Sequence, residues 1–155
     1  MGRITAIAVF AVASLASPAW ADSMLFVGVT SGTAVPSFGM AWGKWSAPIG
    51  FEVELSKSPG NSTASVGGNL LLDTPVTIRR ARLYGAAGLG LFAAQHRDGK
   101  EIGGPAKNVG AGARIPLTSG VLLRVDYRVF FVESDHGDYK PGHAHRLATG
   151  ISFTF

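Results

Sequence analysis

Carboxylates and imidazoles crowd positions 133 to 145: Glu133, Asp135, His136, Asp138, His143 and His145. On an extended segment His143 and His145 fall on one side, and Asp135 or Asp138 would complete a ligand set suited to zinc or a similar ion. The spacing matches no metal motif, and a polar connection between strands has the same composition. No metal and no cofactor is therefore expected. Ser134-Asp135-His136 sets a nucleophile, a carboxylate and a base in a row. Adjacent residues cannot form the relay along one strand, because the base must reach the hydroxyl while the carboxylate holds its other nitrogen. Gly85-Ala86-Ala87-Gly88-Leu89-Gly90 has the wrong spacing for a dinucleotide loop, and no helical pattern follows it. Arg79, Arg80 and Arg82 form a basic cluster that could meet lipid phosphates at a membrane boundary; the competing reading is a solvated strand end. With no Cys, a Cys nucleophile, Cys-ligated zinc and a disulfide framework are all removed. No catalytic residues are assigned, and the chain is not expected to be an enzyme.

The elements that must position these residues follow from composition and rhythm. At 155 residues the chain is long enough for one domain. It is 46% hydrophobic and 15% charged, against roughly 25% charged in an average soluble domain. A mean hydropathy of +0.24 is too apolar for disorder. The formal charge is +4, but outside the arginine cluster the basic residues are scattered, with no aromatic platform. A nucleic-acid partner is therefore not expected.

Met1-Gly2-Arg3, the apolar stretch from Ile4 to Leu15, the break at Ser17-Pro18 and the small-x-small site Ala19-Trp20-Ala21 are the parts of a secretory signal peptide. The expected division is a signal peptide over 1–21 and one domain over 22–155. After Ala21 no run of eighteen apolar residues occurs, so a membrane-spanning helix is not expected.

From there the chain reads with period two. Val121, Leu123, Val125, Tyr127, Val129 and Phe131 share one parity, while Arg124, Asp126 and Arg128 stand on the other. On a strand these are opposite faces. Similar alternation near residues 25–31, 37–43, 49–56, 65–72, 83–91, 108–115 and 147–155 brings the strands to eight. Short connections are expected at Lys44–Pro48, Asp73–Thr77 and Thr118–Gly120, and longer ones at Ser58–Ser62, Gln95–Lys107 and Glu133–His145. Tight turns alternating with longer loops are the pattern of up-and-down membrane barrels.

The non-apolar face carries Gly39, Ala41, Gly43, Gly67, Gly88, Gly90, Gly110, Gly112, Ala148 and Gly150. Water-facing strands are normally lined with larger polar residues, whereas small ones fit the lumen of a narrow barrel. The apolar face is then expected to meet lipid. Glu52, Glu54, Arg114, Arg124, Asp126 and Arg128 share the lumen parity, three acids and three bases, and are expected to pair there. Trp42, Trp45, Tyr84, Tyr127 and Tyr139 are candidates for an interfacial belt.

The sequence ends with Leu147, Ile151, Phe153 and Phe155 at alternating positions. Together with Asn108-Val109-Gly110-Ala111-Gly112-Ala113-Arg114, Leu123-Arg124-Val125-Asp126-Tyr127-Arg128 and Gly150-Ile151-Ser152-Phe153-Thr154-Phe155, this resembles the closing three strands of the OmpA-like/opacity-like porin superfamily. The resemblance covers residues 105–155, and Gly50-Phe51-Glu52-Val53-Glu54-Leu55 is similar to the third strand of such barrels. It implies an eight-stranded antiparallel outer-membrane barrel, contact with outer-membrane lipid, and a C-terminal signal read by the barrel-assembly machinery. It implies no single activity: the expectation is a structural or surface-interaction role with a lumen closed by side chains, and no external partner can be named. The alternatives are a lipid A deacylase-like enzyme and a narrow porin. The His-x-Ser-Asn element of lipid A deacylases is absent.

Overall fold

A computed structural model describes residues 22–30, 35–58, 63–95, 101–133 and 142–154. The leader expected over 1–21, Ser134, Asp135, His136, Asp138, Tyr139 and Phe155 lie outside the described residues. Within them the backbone forms β1 (Asp22–Thr30), β2 (Val35–Ser46), β3 (Ile49–Ser58), β4 (Thr63–Ile78), β5 (Ala81–Gln95), β6 (Glu101–Thr118), β7 (Val121–Val132) and β8 (Gly142–Thr154). Each strand pairs antiparallel with the next, and β8 returns to β1 through Asp22↔Thr154 up to Thr30↔Arg146. The result is a closed barrel without an unpaired edge.

Its faces are inverted relative to a water-soluble barrel. On β7, Val125 and Tyr127 are 36% and 47% exposed, whereas Arg124 and Asp126 between and beside them are 4% and 3% exposed. Leu25, Val27, Leu70, Leu89, Leu91 and Leu147 are also exposed, so the outer wall is apolar all the way round. A surface of that kind is stable against hydrocarbon, and a closed sheet is one of two ways for a backbone to cross it with every polar group paired. Strands of 9 to 18 residues suffice, since about 9–11 tilted residues span the hydrocarbon. This is an eight-stranded up-and-down transmembrane β-barrel.

Tight turns at 47–48, 79–80 and 119–120 lie at one end of the barrel, with Asp22 and Thr154. Several boundaries differ from the sequence expectation. The segment Asp73–Thr77 is not a turn: β4 runs on to Ile78, and the turn is Arg79–Arg80. Pro75 sits where the register shifts between Asp73 and Thr77, a place where a missing N–H breaks no ladder bond. Much of Gln95–Lys107 is strand rather than loop, with Glu101 paired to Gln95 and Lys107 to Leu89. Its Gly-Gly-Pro composition reads as a connection, but continued pairing with β5 satisfies the backbone better. β2 likewise continues to Ser46, β8 begins at Gly142, and β1 begins at Asp22.

Small residues on the inner wall leave room for large ones opposite. A side chain added at Gly112 would strike the Tyr84 ring, and one at Gly88 would strike the amides of Asn69 and Asn108.

Candidate functional site: an ion-paired lumen

The side chains that fill the barrel make a continuous chain of contacts along its axis. At the short-turn end, Trp45 Nε1 donates to Asp73 Oδ2 at 3.0 Å, and Arg114 is paired with the other oxygen of Asp73. The Arg114 guanidinium lies 3.2 Å above the centre of the Trp45 ring, and Trp45 meets Tyr84 edge-on at 5.3 Å. These contacts place a cation against two aromatic faces where water is sparse.

Deeper in the lumen Tyr84, Arg124, Asp126 and Glu52 share one network. The Tyr84 hydroxyl donates to Asp126 Oδ2 at 2.7 Å and accepts from Arg124 Nε at 2.6 Å. Arg124 holds Glu52 with both terminal nitrogens, at 2.6 and 3.1 Å, and reaches Asp126 at 2.8 Å. Arg128 adds bonds to Asp126 at 2.8 Å and to Glu52 at 2.6 Å, and its Nη1 lies 3.0 Å from Glu54. Asn108 donates to Asn69, which donates to Glu52. Arg146 closes the far side with a two-pronged contact to Glu54 at 2.5 and 2.9 Å, its guanidinium between the rings of Phe26 and Phe130 at 4.8 and 5.1 Å.

Six strands around the barrel supply this network: Glu52 and Glu54 from β3, Asn69 from β4, Tyr84 from β5, Asn108 from β6, Arg124, Asp126 and Arg128 from β7, and Arg146 from β8. Residues two apart on a strand face the same way, so each of β3 and β7 delivers its charges as a ladder. With Asp73 and Arg114 included, four carboxylates face four guanidiniums, and within this set the charges cancel. That balance is what permits burial, because an isolated ion in a low-dielectric interior costs several kcal/mol. Small cavities remain between these side chains. One of about 20 Å³ adjoins Trp45, Glu52, Arg114 and Arg124, and one of about 10 Å³ adjoins Glu54, Asn69, Asn108 and Arg128. The first has room for one or two waters and the second for at most one, given the roughly 10–15 Å³ one water needs; neither is a channel.

Glu52, Glu54, Arg124, Asp126 and Arg128 thus lie together, while Arg114 sits apart with Asp73. Arg146, Asp73, Tyr84, Asn69 and Asn108 were not among the expected lumen group. Arg146 was legible: it shares parity with Ala148 and Gly150. Asp73 was hidden by being read as a turn. Trp45 and Tyr84 belong to the lumen rather than to an outer belt, whereas Trp42 and Tyr127 do face outward. Leu147, Ile151 and Phe153 lie on the outer wall. His143 and His145 also face outward, each against an aromatic ring of β7: Phe131 at 5.0 Å, and Tyr127, whose hydroxyl is 2.8 Å from His145 Nδ1. Among the described residues no group of three His, Asp or Glu side chains is placed to hold a metal ion.

No protein-family profile matches the sequence, and no curated protein matches it at the sequence level. Solved structures do match in fold. The N-terminal β-barrel domain of Pseudomonas aeruginosa OprF superposes with a TM-score of 0.70 at 12% identity, covering 86% of this chain and 96% of that one. Neisserial surface protein A gives 0.61 at 19% identity over 87% and 94% of the two chains. The outer membrane enzyme PagL gives 0.55 at 14% identity over 87% and 100%. The chain therefore has the closed eight-stranded barrel fold of these outer-membrane structures.

Proposed function

We propose that residues 22–155 form a bacterial outer-membrane protein, exported by the leader over 1–21, with a structural or surface-interaction role and a lumen closed to diffusion. The observation that carries this reading is the ion-paired lumen inside a predominantly apolar wall. Eight strands enclose only enough space for side chains, and here they fill it. The fold shared with OprF, surface protein A and PagL supports an outer-membrane location. Leu147, Ile151 and Phe153, in phase with Phe155, would present the tail that the barrel-assembly machinery reads.

Fractionation tests the location. The protein is expected in the detergent-soluble outer-membrane fraction, migrating faster on gels before boiling than after. Release by osmotic shock without detergent would overturn the proposal. Planar-bilayer recording tests closure, and stable single-channel steps from the purified protein would contradict it. Lipid A mass spectra that lose an acyl chain on overexpression would instead favour a lipid-modifying enzyme.

A further inference from the structure

The β4–β5 hairpin reaches beyond its neighbours at the short-turn end. Pairing of β3 with β4 stops at Ile49↔Leu72, and pairing of β5 with β6 stops at Arg82↔Arg114. Residues 74–81 therefore find ladder partners only within their own hairpin. Its apolar side chains Val76 and Ile78 are 50% and 58% exposed, continuing the lipid-facing wall into the extension. Directly after them come Arg79 and Arg80 in the turn and Arg82 on β5, all exposed.

Among the described residues none of these three arginines has an ion-pair partner. The nearby carboxylate, Asp73, is already committed to Arg114 and Trp45. Asp22, at the same end, belongs to β1 on the opposite side of the barrel. The charge thus has no internal purpose in the fold. Guanidinium forks match phosphate oxygens two at a time, and apolar stems beside them match acyl chains.

We propose that this hairpin is a docking surface for an acidic phospholipid of the leaflet that surrounds the short turns. Val76 and Ile78 lie along the acyl chain, and Arg79 and Arg80 in the turn hold the headgroup phosphate, while Arg82, which shares the face of Tyr84, adds only to the local positive field. An acidic protein surface would satisfy the arginines but not the two aliphatic residues that run on from the hydrocarbon-facing wall. The inference rests on the membrane reading above.

The test uses the folded chain in phosphatidylcholine vesicles carrying trace spin-labelled phosphatidylglycerol or spin-labelled phosphatidylcholine. The motionally restricted fraction of each label gives their relative affinity for the barrel. The wild type is expected to favour the anionic label about two- to fivefold. The preference should fall to near unity in the double variant Arg79→Gln, Arg80→Gln, and persist in Lys107→Gln on another part of the wall. Salt at about 1 M, where the Debye length is about 3 Å, should weaken it in the wild type without any substitution. Equal affinity for both labels in the inserted wild type, or a preference unchanged in the double variant, overturns the inference. Failure of the folded wild type to insert at all overturns the membrane reading instead, and gel mobility before and after boiling tells the two apart.

Discussion

Arg128 Nη2 lies 2.6 Å from Glu52 Oε1, joining residues 76 positions apart across the barrel interior. Arg128 is 1% exposed and touches Glu52, Glu54 and Asp126 at once, which makes it the hub of the interior charge. Its replacement by Ala removes one cationic partner from each of three buried carboxylates. Arg128→Ala is expected to lower unfolding stability by about 3–5 kcal/mol, the cost of breaking a buried pair from one side. Urea unfolding of the vesicle-inserted protein, followed by Trp fluorescence, measures it. A loss below about 1 kcal/mol would show that the interior is wetter than its geometry implies.

Glu54 and Arg146 make the most self-contained pair, bidentate at 2.5 and 2.9 Å. Glu54→Gln and Arg146→Gln should each destabilise, and the double variant should cost less than the two losses together. A coupling of about 0.5–3 kcal/mol is expected from such contacting residues. Additive losses would mean the pair does not act as a unit.

Closure depends on the same side chains. The double variant Arg124→Ala, Arg128→Ala removes two guanidiniums from the middle of the lumen and leaves Glu52 and Asp126 without their arginine partners. It is expected to admit water and small cations where the wild type gives a silent bilayer. Single-channel recording at matched protein levels checks this, and a silent double variant would place the seal elsewhere.

Glycines on the two faces should respond oppositely. Gly112→Ala forces a methyl group against Tyr84 and is expected to cost about 1–3 kcal/mol. Gly85, where an added Cβ meets nothing within 4 Å, should accept Ala within about 0.5 kcal/mol. Comparing the two unfolding midpoints tests the inside-to-outside assignment of β5 and β6 directly.

Arg79 occupies the β4–β5 turn at φ 56°, a left-handed conformation that suits Gly. Arg79→Gly should raise stability by about 1 kcal/mol, the steric cost relieved there. If the arginines hold lipid phosphate, the same substitution should also reduce the preference for the anionic lipid. A more stable variant with undiminished preference would separate Arg79 from lipid binding.

Much of this protein was legible in its residues. Alternation in Val121–Phe131 assigned the two faces of β7, and glycine in place of lysine or glutamate on the polar face showed that this face does not meet water. Local periodicity carries that information because side chains on a strand change face at every residue. The tertiary structure alone decided which charges meet. Glu52 and Arg128 become neighbours only when β8 closes on β1 and brings distant walls within the reach of a side chain. Closure likewise placed Trp45 and Tyr84 inside, where parity put them but residue type suggested a belt. It also carried strand pairing through Asp73–Thr77, where turn-forming residues are outweighed by a ladder that keeps its bonds by shifting register.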